Sequence, residues 1–343
     1  MILKPHEAKT MFPSYAGDPM MMQTDTPFEI YWTPDTFCNY KCSYCWPGAN
    51  SPDRHHLPED IMKQGMNDLI IKIKDLGIKN INLAWAGGEP TLVPWFTEMN
   101  KIFADDKEIK KSWIGISTNL THGKRWWSKW LDAIENVQSA SISASWHRES
   151  VGDIEDARQR FVDVHKLIMS RGDGWGRWLG ITMVMPPEQF DDIYEDALFF
   201  RDHNINVLLR VARKHIGGKM LQMPGYTDEM IEKIVNWNPN KAKPSIQEGK
   251  IGFIHKDKSG IEKYADVEHP IALGKTDYLN WKCFAGVTSV VIYPNGDIKR
   301  GHGCRDKILG NIKDSSYQLH SFPEPCITAR CGCSADMRQL KVL

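Results

Sequence analysis

The run Phe37-Cys38-Asn39-Tyr40-Lys41-Cys42-Ser43-Tyr44-Cys45 places three thiols within eight residues. Cysteine thiolates are soft ligands that suit iron–sulfur clusters and zinc. A [4Fe–4S] cluster takes four ligands, so three thiolates leave one iron open for another molecule. A structural zinc ion would instead need a fourth protein ligand nearby, which His55 or His56 could supply. The chain has eight cysteines, three at 38–45 and five at 283–333, with none between 46 and 282. Two separated groups of soft ligands predict two metal sites. The second group is Cys283, Cys304, Cys326, Cys331 and Cys333, with Cys283 and Cys304 on either side of VTSVVIYPNGDIKR (287–300), a hairpin turning at Pro-Asn-Gly-Asp.

Other polar residues fall at the ends of strand-like runs. Ala86-Gly87-Gly88-Glu89-Pro90 closes the second run. Its two glycines let the backbone approach a ligand closely, and its carbonyls and Glu89 could accept from an ammonium. Ser117-Thr118-Asn119 ends the third run. Ser143, Ser145 and His147 alternate along the fourth and so share one face. Arg210 is the only charge inside the sixth, where it would suit a carboxylate or phosphate if it points inward. Trp126, Trp127 and Trp130 have helical spacing and are assigned to core packing.

Strands are predicted at 28–33, 81–86, 113–118, 139–145, 178–185 and 205–212, and helices at 58–76, 92–105, 124–136, 150–170 and 188–203. Such alternation indicates an α/β fold with a parallel sheet. Periodicity alone leaves open a partial (β/α)6 barrel and a doubly wound sheet. In either, chemistry sits at the carboxyl ends of the strands. The expected organisation is an N-terminal extension (1–27), a barrel (28–214), a linker with many Gly, Pro and Lys residues (215–280) and a small cysteine-bearing domain (281–343).

Cys-x3-Cys-x2-Cys after the first strand, with Tyr44 before the last cysteine and GGEP one βα unit later, resembles the radical SAM superfamily. That resemblance implies a partial TIM-like barrel in which Cys38, Cys42 and Cys45 hold a [4Fe–4S] cluster. S-adenosylmethionine would chelate the open iron, accept an electron and release a 5′-deoxyadenosyl radical that abstracts hydrogen from a substrate. It also implies that Tyr44 contacts adenine, that Gly87, Gly88, Glu89 and Pro90 hold the amino group, and that Ser117, Asn119 and Ser143 lie near the cofactor. Ser145, His147 and Arg210 would border the substrate cavity. Residues from about 281 resemble the twitch and SPASM extensions. This implies a second, auxiliary [4Fe–4S] cluster on Cys283, Cys304, Cys326 and Cys331, with Cys333 as an alternative ligand and zinc as an alternative metal.

The implied activity is a net oxidation of a small polar molecule, with a peptide or protein side chain as alternative. A reductase, flavodoxin or ferredoxin would donate electrons. A non-catalytic iron–sulfur or zinc protein is the reading from another class, and it gives no reason for a vacant iron. The chain has 343 residues, 43 basic and 43 acidic, so charge points to neither nucleic acid nor membrane. No apolar run is long enough to span a bilayer and no signal peptide is recognisable, so a cytoplasmic location is expected.

Overall fold

The computed structural model describes residues 27–45, 51–109, 111–171, 177–216, 219–237, 253–256, 262–265, 278–304, 308–327, 331, 334–337, 339 and 341–342. Six strands, β1 (Phe28–Trp32), β2 (Asn80–Trp85), β3 (Lys111–Thr118), β4 (Ser139–Trp146), β5 (Arg177–Met185) and β6 (Asn206–Val211), alternate with five helices. The helices are α1 (Glu59–Asp75), α2 (Phe96–Asp105), α3 (Lys124–Ala133), α4 (Ile154–Ser170) and α5 (Phe190–Asp202). Local chemistry favours them. Pro58 precedes α1, Glu59 and Asp60 face its positive end and Lys72 and Lys74 its negative end. The Asp153 carboxylate caps α4 by accepting from the Asp156 N–H at 2.9 Å.

β1 to β6 pair in parallel and in sequence order. Right-handed crossovers between strands in that order put every helix on one face. This is an α/β partial barrel and not a doubly wound sheet, whose strand order reverses. Along β4, Ala140, Ile142, Ala144 and Trp146 are buried against the helices, while Ser141, Ser143 and Ser145 take the other face. Trp127 and Trp130 are fully buried in the same core, as their spacing predicts.

Beyond β6 come two short antiparallel pairs, β7 (Arg213–Ile216) with β8 (Lys219–Gln222) and β9 (Phe253–Lys256) with β10 (Glu262–Ala265), and helix α6 (Asp228–Trp237). The sequence of 215–280 predicts only the helix, because four-residue strands rich in lysine carry no visible alternation. β11 (Lys282–Cys283) is followed by β12 (Ser289–Ile292), β13 (Asp297–Lys299), β14 (Ile308–Asn311), β15 (Glu324–Pro325) and β16 (Lys341–Val342). β12 and β13 form the expected hairpin.

The hairpin does not stand apart from the barrel. β12 pairs in parallel with β1, Glu29 opposite Ser289 and Trp32 opposite Ile292. One nine-stranded sheet, β14-β13-β12-β1-β2-β3-β4-β5-β6, therefore runs through both the barrel and the cysteine-bearing segment. All four residues of β12 are buried, which a strand covered on both faces requires. Among the described residues no helix is long and apolar enough to cross a membrane.

The end of β4 is fixed by a buried charge. Asp196 on α5 is fully buried and accepts from Trp146 Nε1 at 2.7 Å, Arg148 Nη1 at 2.7 Å and Arg158 Nη2 at 2.6 Å. Asp196→Ala would leave Arg148 and Arg158 only their exposed partners Asp192 and Glu155, and should lower unfolding free energy by about 3 kcal/mol in urea titrations. Arg158→Met, which leaves Arg148 on Asp196, should cost less.

Candidate metal and cofactor site

The first cysteine loop leaves the carboxyl end of β1 and is tied down at both ends. Asp35, buried beneath it, accepts from the N–H groups of Phe37 at 3.0 Å and His55 at 2.9 Å. Asn119, at the end of β3, directs its Nδ2 to Asn39 Oδ1 at 2.8 Å and to Cys38 Sγ at 3.7 Å. The turn after β4 holds the far side. Ser43 N–H donates to Glu149 Oε1 at 2.6 Å, and Cys42 Sγ lies 3.7 Å from Ser150 Oγ. Burial raises both thiols, that of Cys42 to about 12, with Ser150 pulling against it. A metal that binds these thiols must displace their protons, and Asn119 and Ser150 stand beside the sulfurs to donate to the thiolates so formed.

Glu89 is buried and makes its own set of bonds. Oε1 accepts from Thr91 N–H at 3.1 Å, Thr91 Oγ1 at 2.6 Å and Thr118 Oγ1 at 2.8 Å, and Oε2 accepts from Asn119 N–H at 2.6 Å. Burial raises its pKa while these four donors lower it. The carboxylate thus braces the ends of β2 and β3, and Pro90 opens the single turn of 3-10 helix that supplies Thr91. Gly87 and Gly88 fit against the cysteine loop. Gly88 N–H donates to the Asp35 carbonyl at 3.1 Å and Glu89 N–H to the Phe37 carbonyl at 2.8 Å. A Cβ on Gly88 would lie 2.1 Å from the Phe37 carbonyl oxygen, and one on Gly87, whose φ is +132°, 2.6 Å from that of Asp35. The space a Cβ would take at either glycine is filled by the loop that carries the thiols.

Tyr44 and His147 meet, Oη to Nδ1 at 3.0 Å, with ring centroids 5.8 Å apart. Burial pushes His147 down to about 4 and holds Tyr44 well above the usual phenol range. Ser117 pairs with Ser143, and Ser145 with Thr182, on the face away from the helices, where Ser143 Oγ and Thr182 Oγ1 are 3.4 Å apart. Arg210 shares that face, since Val207 and Leu209 point into the core, but it is exposed on the last strand of the sheet. His56 packs edge-on to Trp95 at 6.0 Å, and the exposed His55 meets Asp35 only through its backbone. Sequence reasoning missed Asn39, Glu149, Ser150 and Thr182, single polar residues in no recognisable pattern.

The second group also gathers. Cys283 on β11 lies between β15 and β16, and Cys326 follows β15 directly. Tyr278, Cys283, Cys326 and Cys331 share one small buried cluster. Cys304 is buried near Cys283 and Cys326, and burial lifts its thiol to about 11. Cys333 lies outside the described residues. Among the described residues no disulfide forms, and no three His, Cys, Asp or Glu side chains converge at the spacing of a single metal ion.

A family model described as the radical SAM superfamily matches residues 32–237. The GTP 3',8-cyclase of Photorhabdus laumondii subsp. laumondii is 35% identical over 100 residues, 28% of this chain and 28% of that one. The chain therefore matches less than a third of that curated relative's length. The solved structure of anSMEcpe with bound AdoMet has a TM-score of 0.54 at 14% identity, covering 86% of this chain and 81% of that one. Streptococcus suis SuiB bound to S-adenosylmethionine gives 0.51 at 17% identity, covering 84% and 64%. Both share the fold. The matched family implies a [4Fe–4S] cluster with S-adenosylmethionine, and the donor set on the first loop fits it: three thiols on one loop, of which Cys38 and Cys42 are desolvated and lie against Asn119 and Ser150.

Two outcomes follow from this packing. Gly88→Ala should cost at least about 2 kcal/mol in denaturant titration, because backbone and not a flexible side chain opposes the new methyl. Gly123→Ala, with nothing within 4 Å, should cost about 1 kcal/mol or less. His147 keeps its proton off in the fold, down to about pH 4, whereas the unfolded residue binds one below about 6.5. Its contribution is therefore fully present above 6.5 and lost as pH falls towards 4. The melting temperature of the metal-free chain should fall less over that interval in His147→Gln than in the parent.

Proposed function

The chain belongs to the radical SAM superfamily, and we propose that it cleaves S-adenosylmethionine reductively and abstracts a hydrogen atom from a small polar substrate in a net oxidation. One arrangement carries this reading: three thiols on the loop after β1, locked to the strand ends by Asn119, Glu149 and Ser150. A cluster held by Cys38, Cys42 and Cys45, with S-adenosylmethionine on its open iron, would supply the electron and the primary radical.

The protein's own part is binding, orientation and exclusion of water. Glu89 holds the ends of β2 and β3 together, which fixes the GGEP backbone that would receive the cofactor's amino group. Tyr44 would offer its backbone to adenine while its hydroxyl is engaged by His147. His147, neutral at working pH, adds no charge that would compete with the sulfonium. Ser117, Ser143 and Ser145 line the open face with hydroxyls suited to a polar molecule. The four thiols near the C-terminus, Cys283, Cys304, Cys326 and Cys331, would hold a second cluster. A flavodoxin, ferredoxin or dedicated reductase would deliver the electron.

The relative named GTP 3',8-cyclase favours a second reading. In it the substrate is a nucleotide, Arg210 meets a phosphate, and there is no net oxidation.

The anaerobically reconstituted and reduced chain should release 5′-deoxyadenosine from S-adenosylmethionine, measured by chromatography. The Cys38→Ala, Cys42→Ala, Cys45→Ala triple variant should release none; persistent release would overturn the assignment.

A further inference from the structure

Arg300 follows directly after β13 and is fully buried. Its Nη2 donates to the Pro325 carbonyl at 3.0 Å. The Glu324 carboxylate stands 3.6 Å from Nη1, too far for a hydrogen bond, and both Nη1 and Nε are buried without an acceptor. A guanidinium cannot shed its proton, so its bare donors are costly inside a protein unless an acceptor completes them, and its charge is costly unless an anion lies near. The backbone makes room for this side chain. Gly286 has φ +93°, and a Cβ there would lie 2.8 Å from Arg300 Cβ.

The surroundings identify the anion. Pro325, which anchors Nη2, immediately precedes Cys326, and Glu324 pairs across the sheet with Cys283. The positive charge also lies within electrostatic reach of Cys304. Arg300 thus reaches the residue before Cys326, the strand partner of Cys283, and Cys304 itself. Four thiolates on a [4Fe–4S] core carry a net charge of about −2, and about −3 after one electron is added. A buried cation stabilises the more negative state more, because Coulomb energy grows with charge and is poorly screened there.

We propose that Arg300 is the counter-charge of an iron–sulfur cluster held by Cys283, Cys304, Cys326 and Cys331, raising the potential at which that cluster takes up one electron. The proposal rests on the second-cluster reading above. Its direction is the one an electron acceptor for an oxidised substrate needs.

The test uses the full chain with Cys38, Cys42 and Cys45 replaced by alanine, so that only the second site can hold iron. Iron and zinc are counted, and reduction by dithionite is followed by electron paramagnetic resonance against a controlled potential. The parent should hold about four irons per chain. Arg300→Met should keep that iron but be less than a tenth reduced at the potential that half-reduces the parent, a shift of about 60 mV or more downward. Arg300→Lys, which keeps the charge, should shift less. Full iron in Arg300→Met at the parent's potential overturns the role of Arg300 while leaving the cluster reading intact. Zinc or no iron in the parent overturns the cluster reading, and this proposal with it. Should Arg300→Met hold no iron, Arg300→Lys decides: a full cluster near the parent's potential supports the counter-charge, and loss of iron there too overturns it.

Discussion

The arrangement around the first thiol loop depends on one buried carboxylate. Ionised carboxylates avoid the interior unless their oxygens are well supplied with donors. Glu89 satisfies that demand with Thr91, Thr118 and the Asn119 backbone, and its own N–H goes to the Phe37 carbonyl. A single residue after β2 thereby takes hold of the ends of β1 and β3. Asn119, positioned in this way, is free to reach Asn39 and Cys38 with its side chain. The geometry of the thiols is thus tied to hydrogen bonds between strand ends.

The other side of the loop depends on a different buried acid. Asp196 fixes Arg148 and Trp146 at the end of β4, and Glu149 and Ser150 follow in the same turn. Both clamps draw on rigid elements for their leverage, the first on β2 and β3, the second on α5. A loop of cysteines gains precision from strands and helices it does not itself contain.

Much of this was legible from the residues. Apolar alternation located all six barrel strands, and the spacing of Cys38, Cys42 and Cys45 with GGEP one unit later pointed to the candidate site. What stayed hidden was non-local or unpatterned. Glu149 and Ser150 are ordinary polar residues whose value comes from the loop folded against them. Gly88 is legible as a close approach, but its closeness to the Phe37 backbone is not. Pairing of 28–32 with 289–292 joins segments far apart in the chain, and no local periodicity records such a contact. Arg300 looked like the end of a hairpin, and only burial shows that its charge has no full set of partners.

The parallel seam between β12 and β1 bears on how such a chain can be assembled from modules. β1 feeds straight into the first thiol loop, and its outer edge is covered by residues that belong to the second cysteine segment. A bare edge there would offer unpaired amides to any passing strand. The second segment is therefore no cassette that recombination could lift out whole. Exchange at this end of the chain must carry a matching edge strand, or leave the first metal loop hanging from an unprotected border.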